Sequence, residues 1–90
     1  MDAREFYSRA WDILVEAGQI RDLRSREAFV RYFAADRGTE WRFGGDLGFG
    51  GKFWHNAERH YVACYPEDRT PERDELIQEI NAKLDILRES

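Results

Sequence analysis

His55, His60 and Cys64 are the only imidazole and thiol side chains in this 90-residue chain, so metal binding or nucleophilic catalysis would have to start from them. Alternation along a strand sets His60 and Cys64 on one face but about 13 Å apart, too far to share an ion. His55 and His60 meet only in a hairpin register other than the one the aromatic residues favour below. Even then, two imidazoles need a third ligand. Cys64 would need a base at hydrogen-bond distance to act as a nucleophile. Between Ala63 and Tyr65 it reads instead as a small strand hydrophobe. One cysteine excludes an intramolecular disulfide and a multi-cysteine metal cage, and fits a reducing compartment. The expectation is a non-enzymatic protein with no catalytic residue, no metal and no cofactor.

Gly44, Gly45, Gly48, Gly50, Gly51 and Lys52 raise the question of a phosphate loop. A Walker A loop requires glycine where Asp46 stands and Ser or Thr where Phe53 stands. The dinucleotide pattern fails as well, because Phe53 takes the place of its third glycine. Gly48, Phe49, Gly50 and Trp54 partly match the aromatic strand motif of ribonucleoprotein domains, but Leu47, Gly51 and Lys52 break it and the element order differs. Glycines within a strand point rather to a bulge, tight coiling or close approach of another chain.

Two surfaces remain. Arg42, Lys52, Trp54 and His60 are even-numbered, opposite the odd-numbered aromatics, and combine an aromatic anchor with cationic donors. They form the candidate partner site; the plainer reading of Trp54 by itself is that it packs under the first helices or into a dimer contact. The secondary surface is Asp68, Glu72, Glu75 and Glu79, a carboxylate row at helical spacing that serves as a solvated face or meets a basic partner.

Charge narrows the partners. Residues 1–38 and 39–65 each balance to zero, so the net −4 resides in residues 66–90. No basic stripe exists to displace counterions from a phosphate backbone, which disfavours nucleic acid. A nucleotide or oligonucleotide stacked on Trp54 beside Lys52 and His60 is the alternative. Most of the 14 basic residues are Arg, which suits planar contacts at protein interfaces as well as it reflects coding bias.

These residues must be positioned by elements that the periodicity discloses. Ala3, Phe6, Tyr7, Ala10, Trp11, Leu14 and Ala17 form a helical stripe, with Gly18 suited to close it. Ser25 suits the cap of a second helix reaching Ala35, with Phe29, Tyr32 and Phe33 inward and Gly38 beyond. From Thr39 the period becomes two: Trp41, Phe43, Leu47, Phe49, Phe53, Tyr61 and Tyr65 are all odd-numbered. A last hairpin turning at Asn56, Ala57 and Glu58, with Phe53 opposite Tyr61 and Phe49 opposite Tyr65, would keep the aromatics on one face. Pro66 ends the strand. Thr70 then caps a helix with Pro71 at its first position and Leu76, Ile77, Ile80, Leu84 and Leu87 as its stripe. The predicted architecture is a single α+β domain over 1–90. It comprises an N-terminal helical hairpin (1–38), a three-stranded antiparallel β-meander (39–66) and a C-terminal helix (70–89) packed on the sheet.

The longest apolar run, 61–65, is far short of a membrane span, and Asp2 and Glu5 stand where a secretory signal needs basic and apolar residues. A soluble cytoplasmic protein is expected. The sheet face left open by such a monomer also predicts a possible homodimer.

Trp41, Arg42, Phe43, Gly44 and Gly45, then Leu47, Gly48, Phe49, Gly50, Gly51, Lys52, Phe53 and Trp54, then Tyr61 through Tyr65 followed by Pro66, Glu67, Asp68, Arg69, Thr70, Pro71, Glu72 and Arg73, resemble a group of short accessory proteins of actinobacterial bacteriophages. The resemblance covers roughly residues 40–88 and brings no catalytic motif. It implies an accessory phage protein in the host bacterial cytoplasm that binds and modulates or inhibits a host or defence protein.

Overall fold

The computed structural model describes residues 1–17, 26–35, 40–42, 51–55 and 60–90. Helix α1 spans Ala3–Glu16. Asp2 caps it, Oδ1 accepting the Glu5 N–H at 2.8 Å, which satisfies one of the donors a helix start leaves unpaired. Its buried face is Phe6, Tyr7, Ala10, Trp11 and Leu14, the stripe the spacing predicts. The expected closure at Gly18 lies outside the described residues.

Helix α2, Arg26–Ala34, buries Phe29, Val30 and Phe33. Tyr32, expected inward, is half-buried at the boundary, its ring edge-on to Phe33 at 4.9 Å. Val30 takes the interior place because 29, 30 and 33 lie on one side of a short helix, whereas a tyrosine there would bring its hydroxyl into the core. Ion pairs Arg4–Glu27, at 2.8 Å, and Arg26–Asp12 tie α1 to α2 from outside. Ser25 and Gly38 lie outside the described residues.

Three antiparallel strands follow: β1 (Glu40–Arg42), β2 (Gly51–His55) and β3 (His60–Cys64), with β2 in the centre. The mixed helix-and-sheet composition is the expected α+β class. Trp41 pairs with Phe53, and Arg42 with Lys52. Across the hairpin, however, Phe53 pairs with Val62, Trp54 with Tyr61, and His55 with His60. This corrects the expected Phe53–Tyr61 register by one residue. The physical reason is space: Phe53 and Val62 are both buried, and a compact β-branched side chain fits opposite Phe53 where a tyrosine ring and hydroxyl would not. Phe49, and the turn expected at 56–58, lie outside the described residues.

Pro66–Asp68 form one 3-10 turn that ends the strand. Helix α3, Pro71–Arg88, then begins as expected: Thr70 Oγ1 accepts the Arg73 N–H at 3.1 Å, and Pro71 occupies the first turn. Ile80, Leu84 and Leu87 are buried, with Leu76 and Ile77 packed partly against them. Asn81 fastens α3 to β3: its Oδ1 accepts the Val62 N–H at 2.6 Å and its Nδ2 donates to the Val62 carbonyl at 3.1 Å.

Phe53, fully buried, joins the layers. Its ring lies 5.1 Å from both Phe29 and Phe33 and 6.4 Å from Tyr7, in edge-on or steeply tilted arrangements suited to ring quadrupoles. Trp11 fills the α1–α2 seam 5.1 Å from Phe29. Among the described residues its buried indole N–H has no acceptor, a cost of about 1–3 kcal/mol that the burial of the large ring must exceed.

Two measurements test this packing. Phe53→Ala should destabilise by about 3–5 kcal/mol in urea denaturation. A double-mutant cycle with Val62→Ala should show coupling of about 0.5 kcal/mol or more, while a cycle with Tyr61→Ala shows less. The reverse order would restore the Phe53–Tyr61 register. The hydrogen bond from Arg4, reinforced by its charge, holds the Glu27 carboxyl below the ordinary carboxylate range. A depressed carboxylate contributes stability above its unfolded pKa and loses it as pH falls through the folded one. Arg4→Ala should therefore raise the Glu27 midpoint in a carbon-detected NMR titration.

Candidate functional site

The helices take one side of the sheet, the side of Phe53 and Val62. Backbone alternation assigns Arg42, Lys52 and Trp54 to the opposite side, with Arg42 and Lys52 directly paired across β1 and β2. Trp54 is half-buried there, and its register neighbours are Glu40 on one strand and Tyr61 on the other.

His60 does not join them. In an antiparallel pair where an odd position opposes an even one, the even positions of β3 fall with the odd positions of β2. His60 thus belongs to the set of Phe53, Val62 and His55, and pairs with His55. The sequence expectation of one even-numbered face holding Arg42, Lys52, Trp54 and His60 is corrected to three residues, for the same one-residue reason as the register. Positions 55 and 60 are neighbours in the ladder, the arrangement that the aromatic register had excluded. Among the described residues, no group of three or more His, Cys, Asp or Glu side chains is arranged to hold a metal.

The acidic surface is also divided. Glu72, Glu75 and Glu79 are exposed along α3, whereas Asp68 belongs to the 3-10 turn and is half-buried. The cap at Thr70 starts the helix after Asp68, so the row expected along one helix side contains three carboxylates rather than four. The turn itself is tied to the helix. Arg73 Nη1 donates to the Asp68 carbonyl at 2.7 Å, and Arg69 Nε donates to Asp74 Oδ1 at 3.1 Å.

Cys64 is the last residue of β3 and is half-buried. Burial pushes its thiol above the usual range, and the charges of Asp74 and Asp68 push it further, against smaller opposing effects of Arg69 and Arg73. A nucleophilic cysteine is activated by the opposite environment, one that stabilises the thiolate.

Asn81 is the polar residue that sequence reading missed. Its signal was available: asparagine is a poor helix former, yet it sits mid-helix between Ile77 and Leu84 on the border of the apolar stripe, a place that calls for a specific hydrogen-bond partner. Among the described residues no helix is long and apolar enough to cross a membrane.

No protein-family model, curated protein or solved structure matches this chain.

Alkylation of Cys64 by iodoacetamide should show a pH–rate midpoint above that of free cysteine, and Asp74→Asn should lower it. A midpoint below the free value would make Cys64 an activated thiol.

Proposed function

We propose that the chain is a non-enzymatic binding protein whose partner is another protein, contacted through the β1–β2 face at Arg42, Lys52 and Trp54. The observation that carries this reading is the register: two cationic positions stand directly opposite one another, beside an aromatic one, on the side of the sheet away from the helical core. Strands hold such positions at fixed spacing, so little side-chain order is lost on docking, and tryptophan and arginine are the residue types on which binding energy concentrates.

Glu72, Glu75 and Glu79 are exposed carboxylates, which contribute little net affinity after desolvation and screening. In this reading they accelerate encounter with a basic partner rather than fix the complex. The resemblance to actinobacterial phage proteins adds the setting: an accessory protein modulating or inhibiting a host or defence protein in the bacterial cytoplasm. A second copy on the same face is the alternative occupant. A nucleotide stacked on Trp54 is the alternative ligand class.

Capture from an actinobacterial lysate with three baits tests the reading. The unaltered chain should retain a defined protein that Trp54→Ala loses and that Glu72→Gln/Glu75→Gln/Glu79→Gln keeps at physiological salt. Loss in the triple variant with retention by Trp54→Ala would move the contact to α3. Quenching of tryptophan emission by nucleotides or oligonucleotides, absent in Trp54→Ala, would replace the protein partner with a nucleic-acid one. Sedimentation that shows a dimer abolished by Trp54→Ala would replace it with a second copy.

A further inference from the structure

We propose that the protein partner met at Arg42, Lys52 and Trp54 is an acidic segment, which presents a carboxylate to the Arg42–Lys52 pair and an apolar side chain to Trp54. This rests on the protein-binding reading above and adds the chemistry of what is bound. The hydrogen-bond phase of the sheet, disclosed by Val62, is the starting point. In an antiparallel strand the N–H and the carbonyl of one residue point to the same side. Both groups of Val62 are engaged by Asn81 on α3, at 2.6 and 3.1 Å, so Val62 and Phe53 form a pair without mutual hydrogen bonds. Phe53 therefore turns its own N–H and carbonyl toward β1. The pairs on either side of it, Arg42 with Lys52 and Glu40 with Trp54, are then of the non-hydrogen-bonded kind.

That kind is the close one, with Cα atoms about 4.5 Å apart against about 5.5 Å in the alternate pair. Two cationic residues thus occupy directly opposed positions at the shortest cross-strand spacing, a placement that destabilises a sheet. The core does not require it, because both positions fall on the side away from the buried Phe53 and Val62. Local pairing rules are broken chiefly where a function compensates. An anion received between the two cations is the compensation that this charge arrangement fits.

The rest of that side follows from the register. Trp54 pairs with Tyr61 and Lys52 with Ala63, so two rows cross the sheet: Glu40, Trp54 and Tyr61, then Arg42, Lys52 and Ala63. Among these positions Glu40 is one acid against two cations, so a single further carboxylate brings the side to balance. The rows lie two residues apart along each strand, about 7 Å. A matching segment carries its acid and its apolar residue at that spacing, as positions i and i+2 of an extended chain do. Trp54, half-buried, retains surface for the apolar contact. A phosphate backbone fits less well, because it would carry successive charges past Glu40 on a chain whose net charge is already −4.

Two measurements on the full chain test this. The first needs no ligand: a double-mutant cycle of Arg42→Gln and Lys52→Gln in urea denaturation should show a repulsive pair. Replacing either cation should raise the folded-to-unfolded ratio about twofold, and only while the other cation is present. The second is selection from a displayed library of random peptides on the immobilised chain. Enriched peptides should carry Asp or Glu two residues from a large apolar residue. Replacing that acid by its amide should weaken a synthetic enriched peptide about fivefold, the upper range of an exposed ion pair, and Arg42→Gln or Lys52→Gln should weaken it similarly. Selection on Lys52→Glu should enrich Lys or Arg in place of the acid.

Neutral or basic peptides whose binding is lost in Trp54→Ala overturn the carboxylate and leave the protein-binding face standing. Peptides that bind Trp54→Ala, Arg42→Gln and Lys52→Gln as they bind the unaltered chain overturn the face itself. An oligothymidylate that binds more tightly than the acidic peptides replaces the carboxylate with phosphate and overturns the proposal. So does a cycle showing attraction or no coupling between positions 42 and 52. A selection that enriches no sequence on a chain with a cooperative melt overturns it as well.

Discussion

The ring of Phe53 has to be enclosed by rings from two helices, and the position of the sheet follows from that requirement. Phe29 and Phe33 meet it at 5.1 Å and Tyr7 at 6.4 Å, so α1 and α2 both take their places relative to one central strand residue. Aromatic clusters of this kind combine large apolar area with preferred edge-on geometry, and they resist small sliding movements because each ring is the wall of its neighbour's site. Tyr7 shows the point. It stacks on Phe33 with planes 21° apart while standing edge-on to Phe6, Phe29 and Phe53. A protein this small has little other interior to draw on, and the seam is filled by Trp11 even though, among the described residues, its indole N–H has no acceptor.

The helices were legible in the sequence because a helical stripe is local. Phe6, Tyr7, Ala10, Trp11 and Leu14 are buried as their spacing requires, and Thr70 with Pro71 marks the start of α3 to the residue. The side on which each strand presents its residues was legible only within a strand. Alternation says that Phe53 and His55 share a side and that Tyr61 and Ala63 share a side. It says nothing about whether the two sets coincide, because that depends on how the connection between them sets the pairing. Carrying odd parity through residues 56–59 put Tyr61 opposite Phe53, whereas an odd position of β2 opposes an even one of β3. One residue of offset moved His60 out of the candidate site and made Val62 a core residue.

The same offset explains why α3 is attached as it is. With Val62 facing the core, its backbone groups turn to the outer edge of β3, where only an element lying alongside can reach them. Ile80, Leu84 and Leu87 bring α3 to that place by burial, and Asn81, next to Ile80, is then at hand for the edge. Hydrophobic packing and the polar contact therefore depend on one register. A shift of β3 by a single residue would leave Val62 outside the core and the Asn81 carboxamide without its donor and acceptor at once, so the two interactions together specify the pairing more sharply than either alone.

This division of surfaces constrains function. α3 uses its inner side for the core and its flank for the edge of β3, which leaves Glu72, Glu75 and Glu79 on the outside as a charged, solvated band. Such a band favours approach and solubility, and the chain's whole charge excess is concentrated in this last quarter. At the β3 edge the Val62 N–H and carbonyl are engaged by Asn81. By backbone alternation Arg42, Lys52 and Trp54 fall on the side of the strands opposite Phe53, aligned by the register that buries it. The aromatic core and the candidate contact face are two sides of the same strands, and a substitution that disturbs the first would misalign the second without touching it.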